Sequence, residues 1–314
     1  MSQPASQLLE QLRLPDDLLD LDNSQLSQLA NEMRTRMIDT VAKTGGHLSS
    51  NLGVVELAIS LHRAFQSGSD RIIWDVGHQA YAHKLVTGRT GDFDRLRQTD
   101  GLSGYPSRSE SVHDLVENSH ASTSISYALG MAKARLEGDE SYVVAVIGDG
   151  ALTGGMAYEA LNHLAQEKPA RVVIIINDNG RSYAPTVGGL ARHLAALRVD
   201  RRYEGTKKAL GKALRDIPII GEAADEGARR VKESFKQLVQ PSTFFDVLGL
   251  KYTGPIDGHN FEALEATFER AKGIDEPVVI HILTEKGHGY QPALDDDHER
   301  LHAVGPFDIP TGKQ

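Results

Sequence analysis

The chain of 314 residues is long enough for one large α/β domain or two smaller ones. Its 34 basic and 43 acidic side chains give a formal net charge of −9, which argues against a nucleic-acid partner because phosphate backbones bind basic surfaces. No apolar run approaches the ~20 residues of a membrane span, and the N-terminus lacks the basic start and apolar core of a secretory signal. The absence of cysteine excludes disulfides and thiol chemistry. We expect a cytoplasmic protein that binds neither nucleic acid nor membranes.

The N-terminal part of the chain divides into an arm and a helix. Residues 1–22 contain a run of Asp and Leu and are expected to form an arm over the surface. A helix follows, with Asn23 or Ser24 as its N-cap and Gly45-Gly46 at its end. The remaining residues, 23–314, are expected to form one domain.

Strands and helices alternate through most of that domain. Strands are predicted at 71–74, 143–147, 172–176 and 278–283, and helices at 54–65, after His120 and across 156–164. This order predicts an α/β fold in which a mostly parallel sheet carries helices on both faces. Residues 181–245 interrupt the pattern, which indicates a helical or mobile insertion with short amphipathic helices between Thr206 and Gln240.

Two polar segments follow neighbouring β-branched runs. Residues 148–150 (GDG) follow the run at 143–147, and residues 177–179 (NDN) follow the run at 172–176. Parallel strands bring such segments to one edge of the sheet, where open α/β folds bind ligands. The oxygens of Asp149 and Asn179, with the backbone carbonyl of Arg181, suit a divalent cation that also binds phosphate. Asp149 as a helix cap and Asn179 as a turn residue are the structural alternative.

Two segments are candidates for phosphate binding. Gly150 and Ala151 lie in a glycine-rich stretch in which the backbone can approach a phosphate. Ser119, His120 and Ala121 precede a helix, although plain capping of that helix by Ser122 would also explain the sequence. Magnesium diphosphate is the simplest ligand for both segments.

Histidines are the candidates for proton transfer and for diphosphate contacts. His78, His83 and Lys84 follow the first strand and could donate to a diphosphate or a sugar, or His78 could only close a turn. A zinc site is a weak alternative, because the His-x4-His pair has no nearby third ligand. His47 precedes a helix start and could equally be a surface residue. Tyr290 and His302 lie in late polar segments and carry little signal alone.

Together these segments resemble the N-terminal domain of the 1-deoxy-D-xylulose-5-phosphate synthase family, transketolase-like enzymes that depend on thiamine diphosphate. The resemblance runs from about Asp16 onward through residues 46–47 (GH), 74–81 (WDVGHQAY), 83–84 (HK), 87–89 (TGR), 120–124 (HASTS), 148–150 (GDG), 177–179 (NDN), 254–259 (GPIDGH) and 286–287 (KG). The GDG and NDN segments are typical of thiamine-diphosphate enzymes in general. VGHQAY, HK-x2-TGR and GP-x-DGH are much more specific.

The resemblance implies a reaction and a set of roles. The family condenses pyruvate with D-glyceraldehyde 3-phosphate, releasing carbon dioxide, and its product feeds isoprenoid, thiamine and pyridoxal synthesis. It implies thiamine diphosphate and Mg2+ as cofactors, with the metal held by Asp149, Asn179 and the Arg181 carbonyl. The implied cofactor contacts are His78, Ser119, His120, Ala121, Gly150, Ala151, Asn179 and Tyr290. His47 and His302 are the implied groups for proton transfer or intermediate stabilisation.

The sequence departs from the family pattern in two ways. Ser119 stands where the family usually has Gly before the histidine. The chain also lacks the family's pyrimidine-binding and C-terminal domains, so we expect it to be a natural subunit or a truncated form that requires a second chain or domain. A homo- or hetero-oligomer is therefore expected. The first subunit of a split transketolase, which VGHQAY and GP-x-DGH disfavour, and a non-catalytic cofactor-binding fragment remain alternatives.

Overall fold

The computed structural model describes residues 8–117, 119–135, 138–168, 170–181, 186–199 and 243–314. Their centre is a five-stranded sheet in the order β1-β2-β3-β5-β4, in which every neighbouring pair is parallel. The strands are β1 Arg71–Trp74, β2 Val143–Gly148, β3 Val172–Asp178, β4 Lys251–Asp257 and β5 Val278–Leu283. The predicted parallel α/β sheet is confirmed.

Helices cover both faces of this sheet. The α-helices are α1 Leu8–Gln11, α2 Asn23–Thr44, α3 Ser49–Leu52, α4 Val55–Ala64, α5 Tyr81–Val86, α6 Ser124–Lys133, α7 Asp149–Leu152, α8 Gly155–Leu164, α9 Gly189–Val199, α10 Phe244–Leu248, α11 Phe261–Lys272 and α12 Gln291–Leu294. Short 3-10 helices span Asp16–Asp20 and Phe93–Arg95. Within the described ranges, no helix is long and apolar enough to cross a membrane.

Side chains along each strand alternate between two hydrophobic cores. On β2, Val144 and Val146 pack in the core that contains α2, α4 and α11, whereas Val143 and Ala145 pack in the core with α6 and α8. This alternation follows from the two-residue period of a strand, and burial on both faces explains the continuous apolar runs. The molecule therefore has three layers, helices–sheet–helices.

The register of β2 and β3 places the two polar segments side by side. Val143 pairs with Val172, and the pairing continues in step until Gly148 pairs with Asn177. Asp149 and Asn179, which follow the two strands, therefore leave the sheet at the same edge. This part of the sequence prediction is confirmed.

The predicted N-cap of the first long helix is wrong. The cap of α2 is Asp22, whose carboxylate accepts hydrogen bonds from the backbone N–H groups of Ser24 (2.8 Å) and Gln25 (2.9 Å). The Gln25 side chain accepts from the Asp22 N–H in return (2.9 Å), completing a capping box. The helix ends at the predicted Gly45.

Residues 8–22 lie against the domain. Leu9, Leu18 and Leu21 are buried in the core that contains α2 and α4, and the Arg63 guanidinium of α4 donates to the Leu18 carbonyl. Within the Asp/Leu run, Leu18 and Leu21 are buried and Leu19 is exposed. The short 3-10 helix at Asp16–Asp20 therefore points neighbouring side chains in different directions.

A strand and a long helix near the C-terminal end, β4 and α11, were missed in the sequence analysis. β4 contains Gly254-Pro255, and its pairing with β5 shifts between Thr253 and Ile256, because proline cannot donate a hydrogen bond to the neighbouring strand. α11 follows, with Asn260 as its N-cap. Within 181–245, the structure describes a helix at Gly189–Val199. The helices expected between Thr206 and Gln240 lie outside the described residues.

Candidate functional site

A cleft of about 390 Å³ opens at the carboxyl edge of β1, β2 and β3. Its volume is in the range of small-molecule sites in proteins. It is lined by His47, Ser50, Asp75, Val76, His78, Gln79, Tyr105, Ser119, Ala121, Gly148, Asp149, Gly150, Ala151, Asn177, Asn179, Arg181 and His302. Most of the predicted site residues, drawn from segments up to 255 positions apart, therefore meet in one place.

The predicted metal ligands all line the cleft, close to the adjacent ends of β2 and β3. Asp149 is buried in the first turn of α7, directly after β2, and its Oδ2 accepts a hydrogen bond from Thr186 Oγ1 (2.6 Å). Asn179 follows β3, and its Oδ1 accepts from the Arg181 N–H (3.1 Å). The Arg181 guanidinium donates to the carbonyl of Asp297 (3.2 Å). These residues supply oxygen atoms of the kind that Mg2+ binds.

Asp75 connects β1 to the start of α6. Its two carboxylate oxygens accept hydrogen bonds from the backbone N–H groups of Ser122 (2.8 Å) and Ser124 (2.9 Å). Ser122 Oγ in turn donates to the Ala151 carbonyl (2.6 Å). Through these contacts the segment before α6 is fixed against the glycine-rich segment after β2, and Ser119 lines the same cleft.

Three histidines from distant segments form one cluster in the cleft. The ring centroids of His47 and His78 are 5.4 Å apart, those of His47 and His302 are 5.7 Å apart, and those of His78 and His302 are 5.4 Å apart. His302 Nδ1 lies 3.1 Å from Ser50 Oγ, and Tyr105 packs edge-on against His47. The cluster and the predicted metal ligands line the same cleft.

All three histidines are neutral at physiological pH. Burial is the main cause in each case, lowering the pKa of His47 to about 4 and those of His78 and His302 to about 3. The nearby Lys286 ammonium contributes to all three shifts. Burial and the Arg181 charge lower the pKa of Lys286 itself to about 8. A neutral imidazole can both donate and accept a proton, as proton transfer requires.

Asn51 holds the backbone of two members of the cluster. Its Nδ2 donates to the carbonyls of His47 (2.7 Å) and His78 (2.8 Å), and its Oδ1 accepts from the Tyr81 N–H (2.7 Å). The Tyr81 hydroxyl accepts a hydrogen bond from the His47 N–H (3.2 Å). The side chain of Asn51 is fully buried, so both histidines are positioned by one rigid contact.

Four candidate residues lie outside the lining of this cleft. His120 is exposed to solvent beside it. Tyr290 is buried, and its hydroxyl donates to the Ile309 carbonyl (2.5 Å). His83 and Lys84 are buried in a different network with Asp114 and Glu110. The proposed donation by His83 and Lys84 to a ligand is therefore wrong for this arrangement, because His83 already contacts His62 and Asp114, and Lys84 is paired with Glu110.

Several lining residues were missed as individual candidates. Ser50, Gln79 and Asn177 lie in segments that were noted, and their proximity to polar motifs was the available signal. Tyr105 had no such signal. It reaches the cleft only because the loop that carries it folds back over His47.

A second histidine cluster lies outside the cleft lining. Among the described residues, Glu56, His259 and His288 bring possible metal-ligand atoms within 4.8 Å of one another. The rings of His259 and His288 are stacked at 3.8 Å with an angle of 18°, so one ion cannot lie in both ring planes. Arg34 already binds Glu56 (2.7 Å), and both ring nitrogens of His259 have partners. We assign this cluster to a hydrogen-bonded network, not to a metal site.

The fold is that of the transketolase-like α/β enzymes. Similar solved structures include transketolase from Leishmania mexicana, with a TM-score of 0.59 and 17% identity over 90% of this chain and 39% of that chain. Another is transketolase from Campylobacter jejuni, with a TM-score of 0.60 and 18% identity over 90% of this chain and 40% of that chain. At these identities the likeness concerns the fold.

The sequence comparisons define the family. The family model described as 1-deoxy-D-xylulose-5-phosphate synthase matches residues 9–284, and the chain belongs to this family. The 1-deoxy-D-xylulose-5-phosphate synthase of Thermobifida fusca is 53% identical over 98% of this chain, and that of Mycobacterium sp. (strain KMS) is 54% identical over 98%. Each alignment covers 48% of the relative. The chain thus spans about half the length of these relatives and corresponds to their N-terminal region.

Proposed function

We propose that this chain is the diphosphate-binding component of a thiamine-diphosphate-dependent 1-deoxy-D-xylulose-5-phosphate synthase. Its reaction would be the transferase reaction that condenses pyruvate with D-glyceraldehyde 3-phosphate, releasing carbon dioxide. The observation that carries the proposal is the cleft that Asp149, Asn179 and Arg181 line together with three histidines whose pKa values are lowered by burial. The sequence of its relatives supports the choice of this reaction over that of an ordinary transketolase.

The polar groups of the cleft fit a diphosphate with its metal ion. Asp149 and Asn179 have side-chain oxygens and Arg181 has a backbone carbonyl to offer, and all three residues line the cleft. In the same cleft, the Nδ1 atoms of His47 and His78 are buried and have no hydrogen-bond partner among the described residues. Buried polar atoms are normally satisfied, so these atoms indicate a polar ligand.

The oxygen-bearing residues and the histidines of the cleft would have distinct roles. Bound thiamine diphosphate supplies the nucleophilic carbon and the electron sink for decarboxylation. Asp149 and Asn179 would hold Mg2+ against the diphosphate, with Ser119, Ala121, Gly150 and Ala151 beside it. His78 would donate to the cofactor, and His47 and His302 would move protons or stabilise charge beside the reacting carbon. His120 and Tyr290 would require a rearrangement to take part.

We propose that turnover also requires a second, pyrimidine-binding domain or chain. Thiamine chemistry needs a glutamate beside the pyrimidine ring, and the family carries it in that domain. The twofold greater length of the relatives supports this proposal. An assembly of homo- or hetero-oligomers would place that domain against the cleft.

The first test is cofactor binding by the chain. We expect thiamine diphosphate to bind in titration calorimetry only when Mg2+ is present. Asp149→Asn should weaken this binding by about tenfold or more, because a carboxylate ligand becomes neutral. Asp275→Asn, at an exposed carboxylate that pairs with Arg171, is the matched control. Wild-type affinity in Asp149→Asn would contradict the metal assignment.

The second test is reconstituted activity. The chain is mixed with a candidate pyrimidine-domain chain, pyruvate, D-glyceraldehyde 3-phosphate, Mg2+ and thiamine diphosphate, and carbon dioxide release is measured. We expect release well above that of either chain alone. Cofactor binding without any such release would instead identify a non-catalytic cofactor-binding fragment, whereas activity with other ketose phosphates would identify a split transketolase.

A further inference from the structure

We propose that His281 is a positioning residue for the metal-binding turn, acting through Asp178. The inference rests on the proposed binding of Mg2+ by Asp149 and Asn179. It assigns a role to three connected side chains next to this site, those of Tyr252, His281 and Asp178. His281 lies on β5, and Asp178 is the last residue of β3. Neither was a candidate in the sequence.

The chain of contacts crosses three adjacent strands. Tyr252 on β4 has its hydroxyl 2.9 Å from His281 Nδ1, and His281 Nε2 lies 2.8 Å from Asp178 Oδ2. The side chains of His281 and Asp178 are both fully buried. An Nε2–H that donates to the carboxylate leaves Nδ1 to accept from the tyrosine hydroxyl, so the partners select one tautomer.

Asp178 passes this constraint to the turn that carries Asn179. Its Oδ1 accepts a hydrogen bond from the Gly180 N–H (3.1 Å), and Gly180 has a φ of 74°, a conformation that glycine adopts without strain. The Asp178 carbonyl accepts from the Thr284 N–H (3.1 Å). Asn179 is therefore held between two fixed neighbours.

The neighbouring strand residue is fixed in the same way. Thr284 Oγ1 donates to Asn177 Oδ1 (2.5 Å), and Asn177 Nδ2 donates to Gln79 Oε1 (2.9 Å). Asn177 and Asn179 both line the cleft, and Asp178 between them points into the protein. Asn177 and Asn179 thus line the cleft, and the buried Asp178 between them helps to set their positions.

Loss of His281 would act on the metal through this turn. A buried carboxylate that loses a hydrogen-bond donor moves to find another, because an unpaired buried charge is costly. Movement of Asp178 would release the Gly180 N–H and shift Asn179. Residues that orient metal ligands in this way typically change metal affinity by about tenfold to a hundredfold.

The test compares four variants of the chain with wild type. Mn2+ affinity in the presence of thiamine diphosphate is measured by electron paramagnetic resonance, and the fold is checked by circular dichroism. His281→Leu should weaken Mn2+ binding by about tenfold or more. His281→Gln, whose amide can still donate to Asp178, should restore most of the affinity.

The control is His62→Gln. His62 is an equally buried histidine, bonded to His83 and Ser67 outside the cleft lining. It should lose stability without losing Mn2+ affinity. The positioning role would be overturned if His62→Gln lost as much Mn2+ affinity as His281→Leu. It would also be overturned if a folded His281→Leu variant bound Mn2+ with wild-type affinity.

Two further results keep the inference and the proposed function separate. If His281→Leu does not fold, Asp178→Asn takes its place, because it keeps the size of the side chain, and unchanged Mn2+ affinity in that variant would overturn the inference. If wild type itself binds no Mn2+ with thiamine diphosphate, the proposed function fails first. Wild-type binding with no response to any of these variants refutes only the role of His281.

Discussion

The histidines of the cleft show how burial decides protonation at the scale of one residue. His47, His78 and His302 lie within 6 Å of one another by ring centroids, so three protonated rings would repel strongly. Burial removes the water that would stabilise those charges, and Lys286 adds a further positive charge nearby. The cluster is therefore neutral in the folded chain.

The pH dependence of stability tests this neutral state. The pKa of His302 is about 3 in the folded chain against an ordinary value of 6.5, so the unfolded chain binds more protons between these pH values. Its stabilising contribution is complete above pH 6.5 and is lost as the pH falls towards 3. His302→Gln should reduce the slope of unfolding free energy against pH in this window by up to about 1.4 kcal/mol per pH unit.

Chemical denaturation at a series of pH values measures this slope. The same substitution at His163, whose side chain is 55% exposed, is the control for a histidine on the surface. An unchanged slope in His302→Gln would show that His302 is already protonated in the folded protein at those pH values.

At the scale of elements, a buried ion network fixes the loop that carries Tyr105. Glu110 accepts a hydrogen bond from the Ser103 N–H (2.6 Å), and Asp114 accepts from the Ser107 N–H (2.7 Å). Tyr105 lies between these two anchors. Lys84 binds Glu110, and Arg89 binds Asp114 (2.6 Å). The HK-x2-TGR motif thus holds the loop, and its residues are not among those that line the cleft.

Breaking this network should be costly. Lys84→Met leaves Glu110 without its main buried partner and should destabilise the chain by about 3–5 kcal/mol in denaturant unfolding. The double variant Lys84→Met/Glu110→Gln removes both charges and should recover much of that loss. Lys133→Met, which breaks an exposed ion pair with Glu167, should cost about 1 kcal/mol or less. Lys84 and Glu110 would not be coupled if Lys84→Met and Glu110→Gln changed the free energy of unfolding additively.

The same elements show what the sequence could predict. β2 and β3 were predictable because β-branched runs ending at GDG and NDN report both the strand and its edge. The predicted cap of α2, Asn23 or Ser24, was one or two residues too late because Asp22, Asn23 and Ser24 are all good caps, and only geometry selects among them. β4 was hidden by Gly254-Pro255, and the position of Tyr105 depends on ion pairs between distant segments.

At the scale of the whole molecule, the N-terminal segment is part of the folded unit. The 3-10 helix at Asp16–Asp20 places Leu18 in the core with 0% exposure, while its neighbour Leu19 is 59% exposed. This burial joins the segment to α2 and α4. From sequence alone, two adjacent leucines between aspartates give no basis for choosing which one is buried.

Leu18 and Leu19 therefore form a natural pair for a stability test. Leu18→Ala should lower the unfolding free energy by about 2–5 kcal/mol, because it leaves a cavity in the core. Leu19→Ala should change it by no more than about 0.5 kcal/mol. Thermal and denaturant unfolding measure both. Equal effects would show that the segment does not pack against the domain in solution.

The double hydrogen bond of Asn51 has a consequence for how the cleft can be dissected. His47 and His78 are carried by loops 31 positions apart, yet one amide group ties their carbonyl groups together. Their backbones are therefore anchored independently of their imidazole rings. Either ring can be replaced while the other stays in place, so single and double substitutions report the reactivity of each ring separately. In both histidines the backbone fixes the position of the residue, and the imidazole ring is the part available for chemistry.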